Sequence, residues 1–188
     1  MSFPAGFLFA HGAGSDRNHS TLVSLDRRLQ PLPVERVDFP YRSEGRRIPD
    51  RPERLVAFLE ERAALLADRI GVEKNQLILG GRSMGGRMCS IAVAQGFKVA
   101  GLILLSYPLH PPRKPEKLRT SHFGSIDVPC LFVSGDKDPF GSPEEFLNYL
   151  PVIAGPVTSV WLENARHDMS GHDESICDSV VAWLDTLE

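Results

Sequence analysis

Residues 76–86 read QLILGGRSMGG, and this stretch decides the fold of the chain. An apolar run that suits a buried strand ends in two glycines, and small residues typical of a tightly packed helix begin at Met84. Residues 81–85 match the pattern G-x-S-x-G, which places Ser83 on a sharp turn from a strand to a helix. Because the flanking glycines leave room for that turn, the serine hydroxyl can project from the sheet edge. The motif therefore predicts that Ser83 is a nucleophile.

Strand-like and helix-like segments alternate along the chain, which predicts a parallel sheet with helices on both faces. Short apolar runs mark six predicted strands, at residues 6–10, 34–39, 76–80, 99–105, 128–134 and 157–162. Helical patterns cover residues 19–29, 52–70, 84–95, 143–150 and 174–187. The polar segment 41–52 is interpreted as a loop. The expected architecture is a three-layer α/β/α sandwich, with residues 1–188 forming a single domain.

Composition and charge argue against several classes of protein. A net charge of −3 gives no overall attraction to nucleic acid or to an anionic membrane. No apolar stretch is long enough to span a bilayer, and residues 1–9 lack the basic segment of a signal peptide. We therefore expect a cytoplasmic protein. The three cysteines lack the close spacing of zinc ligands, which predicts buried thiols and no metal site.

A nucleophilic serine needs a base and an acid that orients the base. In a sheet of this kind they follow the serine in the order acid, then histidine. His167 follows the sixth predicted strand and is the expected base, with His172 as the alternative. Asp136 and Asp138 both follow the fifth predicted strand. The residues alone leave the choice between them open, because either carboxylate also suits a turn or a helix cap.

The oxyanion that forms during acyl transfer needs N–H donors. Met84, directly after the nucleophile, is expected to supply one, and Ala13, in the turn after the first strand, is expected to supply the other. Gly12 of the same turn and Arg82 beside the nucleophile are the expected substrate-binding residues. This chemistry requires no metal and no cofactor.

These motifs together resemble the α/β-hydrolase superfamily, and especially its small, lidless, dienelactone-hydrolase-like branch. The similar segments, in chain order, are HGAG at 11–14, GRSMGG at 81–86, GDKDPFG at 135–141 and RHD at 166–168. The segment SYPLHPP at 106–112 is similar to the branch that includes the testis-expressed hydrolase-like proteins.

The resemblance has consequences for the site and for the fold. It implies that Asp138, the last residue of a Gly-x-x-Asp turn, is the acid of a triad with Ser83 and His167. It also implies a minimal α/β-hydrolase fold without the first two strands and without a lid, with six strands in the spatial order 2-1-3-4-5-6.

The leading functional hypothesis is hydrolysis of a small ester, thioester or related acyl bond, with a small-molecule acyl substrate as the partner. The alternative is a catalytically silent scaffold or interaction protein that keeps the fold. A flavodoxin-like nucleotide-binding domain ranks last, because the turn at 11–14 lacks the hydroxyl cluster of a phosphate-binding loop.

Arginines are concentrated near the predicted active edge of the sheet. Arg82 and Arg166 flank the proposed nucleophile and base, and four more lie in the loop after the second strand, at Arg42, Arg46, Arg47 and Arg51. Two interpretations are open. The loop arginines either pair with Glu44, Asp50 and Glu53 in a solvated loop, or they form a basic rim for an anionic group of the substrate.

Overall fold

The computed structural model describes residues 4–187, and their six strands form one parallel sheet. The order across the sheet is second, first, third, fourth, fifth and sixth, which confirms the predicted topology. In chain order the strands are β1 (Gly6–Ala10), β2 (Val34–Val37), β3 (Leu77–Arg82), β4 (Gly101–Leu105), β5 (Cys130–Gly135) and β6 (Val157–Leu162). The four central strands are buried along their whole length, which explains why they are continuous apolar runs in the sequence.

Five of the six α-helices in residues 4–187 lie between strands and α6 follows β6, and together they cover both faces of the sheet. They are α1 (Ser20–Arg28), α2 (Pro40–Ser43), α3 (Pro52–Ile70), α4 (Met84–Ala94), α5 (Pro143–Leu147) and α6 (Asp173–Leu184). Successive residues of β1 pack on opposite faces. Leu8 and Ala10 belong to the core with α3 and α4, whereas Phe7 and Phe9 belong to the core with α1 and α6. The predicted three-layer α/β/α arrangement is therefore confirmed.

Two predicted boundaries were wrong in ways that affect the site. The segment interpreted as a loop at 41–52 begins with the one-turn helix α2, because the fixed φ of Pro40 suits the first turn of a helix. The third strand does not stop at residue 80 but continues to Arg82, which pairs with Leu105 of β4. This extension leads the sheet directly into the turn at Ser83.

The connection between β4 and β5, residues 106–129, is long but well anchored. Tyr107 and Phe123 insert their rings into an aromatic cluster with Phe132, at ring-centroid distances of 5.4 to 6.1 Å. The Tyr107 hydroxyl donates a 2.7 Å hydrogen bond to the carbonyl oxygen of Arg119. Both ends of the connection are thus held against the sheet.

Cys89, Cys130 and Cys177 are buried free thiols, as predicted. Burial raises the pKa of each thiol, to about 12 for Cys89 and Cys130 and to about 11 for Cys177. A search of the described part of the chain for a helix with the length and apolarity of a membrane span finds none.

Candidate active site

Ser83 lies at the junction of β3 and α4 in a backbone conformation that L-residues rarely adopt. Its φ is 52° and its ψ is −115°, and its N–H donates to the carbonyl oxygen of Leu105 at 2.8 Å. A Cβ on Gly81 would lie 2.7 Å from the carbonyl oxygen of Ala10, and a Cβ on Gly85 would be closer still. The glycines of the motif are therefore required by the close approach of β1 to the turn.

The structure brings together the three residues proposed as a triad. His167 Nε2 lies 2.9 Å from Ser83 Oγ, and His167 Nδ1 lies 2.8 Å from Asp138 Oδ2. Because an ionised carboxylate only accepts hydrogen bonds, Nδ1 carries the proton in the neutral ring and Nε2 accepts from the serine hydroxyl. This is the tautomer in which the ring can remove the proton of Ser83.

Only one of the two candidate acids contacts the histidine. The Asp138 side chain is 1% exposed, and its second oxygen accepts a 2.8 Å hydrogen bond from the N–H of Phe140. The neighbouring Asp136 instead lies 3.6 Å from Lys137 Nζ. His172, the alternative base, occupies the N-terminal cap of α6, where its carbonyl accepts from the N–H of Ile176.

Three further side chains hold the loop that carries His167. The Phe140 ring stacks on the imidazole with the ring centroids 3.9 Å apart. The main-chain carbonyl oxygen of His167 accepts two hydrogen bonds, one from Arg82 Nη2 at 2.7 Å and one from Ser106 Oγ at 2.8 Å. The imidazole is therefore fixed through its ring and through its backbone.

The turn at 11–14 packs directly on Ser83. A Cβ on Gly12 would lie 3.5 Å from the Cβ of Ser83. The carbonyl oxygen of Gly12 accepts from His11 Nδ1 at 2.7 Å, and that of Ala13 accepts from the Tyr41 hydroxyl at 2.8 Å. Since the N–H and C=O of a trans peptide point in opposite directions, the N–H of Ala13 points away from His11.

His11 supports this turn in its neutral form. Its Nδ1 donates to the Gly12 carbonyl, and its Nε2 accepts a 3.2 Å hydrogen bond from the N–H of Phe39. Burial lowers the pKa of His11, which keeps the ring uncharged. The second expected oxyanion donor, Met84, begins α4, where its N–H has no partner within the helix.

A cavity of about 680 Å³ opens over Ser83. Six of the seven predicted site residues line it, at Gly12, Ala13, Arg82, Ser83, Met84 and His167. The seventh, Asp138, is buried behind the imidazole. A second concavity, of about 750 Å³, lies at the β2 edge and contains none of these residues, and its charged side chains are engaged in ion pairs such as Arg62 with Glu35.

Two of the four loop arginines pair with carboxylates, and Arg42 does so with Asp16 at 3.7 Å. Arg46 donates to Glu44 and to Asp50, and Arg54 donates to the same two carboxylates. These contacts hold the pKa of Glu44 and of Asp50 below their usual values. The structure therefore supports the paired interpretation for Arg46. Arg47, Arg51 and Arg166 are exposed and do not line the cavity.

Comparison with known proteins decides the family. The sequence model of one family, described as an alpha/beta hydrolase domain, matches residues 4–181. The chain belongs to the α/β-hydrolase family.

Solved structures share the fold of this α/β hydrolase at low sequence identity. An alpha-beta serine hydrolase homologue from Coxiella burnetii is 20% identical, with 98% of this chain and 85% of that chain covered and a TM-score of 0.77. A dienelactone hydrolase from Anabaena variabilis is 18% identical, with 97% of this chain and 86% of that chain covered and a TM-score of 0.78. Est1E from Butyrivibrio proteoclasticus, bound to ferulic acid, is 16% identical, with 96% of this chain and 88% of that chain covered and a TM-score of 0.76.

Sequence reasoning missed four residues that surround the site of this α/β hydrolase. Phe140 and Ser106 lie in segments that carry the family resemblance, but nothing in their local pattern indicates a contact with His167. Arg87 follows Ser83 by four residues, so helical spacing alone could have placed it on the same face as the serine. Arg119 lies in the long connection and has no local signal.

Proposed function

We propose that this α/β hydrolase is a serine hydrolase that cleaves a small ester, thioester or related acyl bond through an acyl-enzyme. The observation that carries the proposal is the continuous hydrogen-bonded chain from Ser83 Oγ through His167 to the buried carboxylate of Asp138. Each member stands in the order and geometry that acyl transfer by a serine requires.

The proposed reaction begins with attack of Ser83 Oγ on the substrate carbonyl. His167 Nε2 accepts the hydroxyl proton as the Oγ–C bond forms, and Asp138 stabilises the resulting imidazolium. The N–H groups of Met84 and Ala13 bind the oxyanion of the tetrahedral intermediate. His167 then returns the proton to the leaving group as its bond to carbon breaks. Water, deprotonated by His167, hydrolyses the acyl-enzyme and restores Ser83.

Two observations favour catalysis over a silent scaffold. A scaffold gains nothing from holding a serine in a rare backbone conformation, whereas strained residues of this kind are concentrated at active sites. The site also opens to a cavity large enough for a small ligand, and the same residues line it. The ferulic acid bound to Est1E is a carboxylic acid, which is the class of product that ester hydrolysis releases.

Labelling with a fluorophosphonate probe tests the proposal. The wild-type protein is expected to be labelled at one residue, identified as Ser83 by peptide mass spectrometry, and Ser83→Ala is expected to lose the label. Ser179→Ala is the matched control, because Ser179 lies on α6 outside the cavity and hydrogen-bonds only within that helix. A folded wild-type protein without a label at Ser83 would support the scaffold.

A further inference from the structure

Three arginines line the cavity over Ser83, and within residues 4–187 none of them forms an ion pair and only Arg82 donates a side-chain hydrogen bond. Arg82 donates to the carbonyl oxygen of His167. Arg87 and Arg119 lie within 4 Å of no carboxylate oxygen in residues 4–187. The Nε of Arg87 is buried without a hydrogen-bond acceptor in the same range. Both side chains are half-buried, and an anion would compensate for the partial loss of water around their unpaired charges.

Main-chain hydrogen bonds fix the positions of Arg87 and Arg119 in the cavity wall. Arg87 lies one helical turn after the nucleophile, and its N–H donates to the carbonyl oxygen of Ser83 at 3.0 Å. Residues four apart on a helix lie on the same face, so the Arg87 side chain begins beside Ser83. Arg119 donates its N–H to Leu109 and accepts from the Tyr107 hydroxyl, which fixes the opposite wall of the cavity.

The two positive charges influence each other. Burial, and after it the charge of Arg87, lower the pKa of Arg119. The nearby His122 does not add a third charge, since burial and the charge of Arg87 lower its pKa to about 4. At neutral pH His122 is therefore uncharged, with its Nε2 2.8 Å from Ser90 Oγ. The local positive charge thus resides on the guanidinium groups.

The acidic residues of the cavity wall do not cancel this charge. Asp50 accepts hydrogen bonds from Arg46 and Arg54 at the rim. Burial lowers the pKa of Arg82 and the charge of Asp168 opposes this effect, whereas Asp168 is not among the charges that act on Arg119. The chain as a whole is negative, so an excess of positive charge inside this cavity is a local feature and does not follow from composition.

We propose that Arg87 and Arg119 form an anion-binding subsite, and that the substrate carries a carboxylate or phosphate group remote from the scissile acyl bond. Guanidinium groups match both anions through paired N–H donors. The Ser83-based chemistry would act at one end of the cavity while the arginines hold the charged end of the substrate. This inference rests on the proposed function and names the class of substrate for the same site.

Matched esters test the subsite. The first pair is the mono-p-nitrophenyl ester of adipic acid, with its free carboxylate, and the corresponding methyl ester. A second pair carries the carboxylate on the leaving group, as acetylated 4-hydroxybenzoate and its methyl ester. A p-nitrophenyl ester whose acyl chain ends in phosphate distinguishes the two anions. For at least one pair, we expect kcat/KM to favour the anionic member by about tenfold or more at low ionic strength, and to fall towards parity as salt rises.

Substitution of the two arginines tests whether they cause the preference for anionic esters. Arg87→Gln and Arg119→Gln are each expected to bring the ratio of anionic to neutral kcat/KM towards one. The ratio is the readout, because any general loss of activity cancels from it. Arg46→Gln and Arg166→Gln are the matched controls, since Arg46 is already paired with carboxylates and Arg166 is exposed outside the cavity. Both controls should keep the wild-type ratio.

The outcomes separate this inference from the proposed function. Ser83-dependent hydrolysis with equal kcat/KM for anionic and neutral esters would overturn the subsite and leave the hydrolase intact. A preference that survives both Arg87→Gln and Arg119→Gln would also overturn it. If no ester is hydrolysed, an NMR titration with adipate decides whether the subsite exists, with saturable binding as the readout. Binding that disappears in the Arg87→Gln/Arg119→Gln double variant supports the subsite, and absence of binding to the wild-type protein overturns it.

Discussion

Arg82 Nη2 donates a 2.7 Å hydrogen bond to the main-chain carbonyl oxygen of His167. The residue before the proposed nucleophile thus supports the loop of the proposed base, 85 residues further along the chain. Arg82 was predicted to bind substrate, and it does line the cavity. Its hydrogen bond also gives it a positioning role, because displacement of this loop would move the imidazole away from Ser83.

The first prediction separates positioning from substrate binding at Arg82. Arg82→Met should lower kcat by about 10- to 100-fold with little change in KM, because small misplacements of catalytic groups are costly. Ser106→Ala, which removes the second hydrogen bond to the same oxygen, should produce the same pattern to a smaller extent. Steady-state kinetics on a neutral ester measure both. A rise in KM at constant kcat would instead assign Arg82 to substrate binding. The control is Arg166→Met, because Arg166 is exposed and directly precedes His167 in the chain.

The second prediction distinguishes the two aspartates. Asp138→Asn should lower kcat by about 10⁴-fold, because an amide at this position cannot hold the His167 tautomer that accepts the serine proton. Asp136→Asn should change kcat far less, since Asp136 does not contact the imidazole. The two substitutions are chemically identical and lie two residues apart, so each controls for the other. A larger loss with Asp136→Asn would contradict the assignment.

The third prediction concerns the strain at Ser83. Glycine tolerates a φ of 52° and a ψ of −115° far better than alanine does. Ser83→Gly should therefore have a free energy of unfolding about 1 kcal/mol higher than Ser83→Ala, the reverse of the usual order for these residues. Urea unfolding of the two variants measures the difference. If Ser83→Ala proves the more stable protein, the turn is not strained.

The fourth prediction follows from the lowered pKa of His122. Its folded-state pKa, about 4, lies below the ordinary value of 6.5, so the unfolded chain binds this proton more readily. The contribution of His122 to stability is complete above pH 6.5 and is lost as the pH falls towards 4. His122→Gln should reduce the loss of unfolding free energy between pH 7.5 and 4.5 by about 1 kcal/mol, after allowance for partial exposure.

Urea unfolding at the two pH values checks this prediction. Some acid sensitivity should remain in His122→Gln, because burial also lowers the pKa of His11. Equal losses in the wild-type protein and in His122→Gln would contradict the prediction.

The sequence predicted the neighbourhood of Ser83 for a physical reason, whereas the order of the strands across the sheet came from the family resemblance. Loops that follow parallel strands meet at one edge, so residues such as Ser83 and His167 can be brought together from their places after strands alone. The choice of Asp138 over Asp136 needed the family resemblance, because both carboxylates follow β5. Their catalytic roles stay predictions until activity is measured.

What the sequence could not predict depends on contacts between distant residues. The stacking of Phe140 on His167 and the position of Arg119 on the cavity wall leave no periodic or local pattern, whereas helical spacing could have placed Arg87 beside Ser83. Sequence reasoning looked for a basic rim where arginines are dense, around Arg46. Arg46 pairs with nearby carboxylates, and Arg47 and Arg51 do not line the cavity, so the number of arginines in a loop is a poor guide to the charge that a ligand would encounter.

The connection at 106–129 supplies part of the cavity wall, at Pro108 and Arg119. The side with Ser83 is made by the sheet and α4, where close backbone packing resists change. The opposite side, with Arg119, belongs to one contiguous segment whose aromatic anchors, Tyr107 and Phe123, lie away from the cavity wall. Such a segment is a natural unit for grafting. Exchange of residues 111–121, which retains the hydrogen bond from the His110 N–H to the Phe140 carbonyl oxygen, would alter which molecules are accepted.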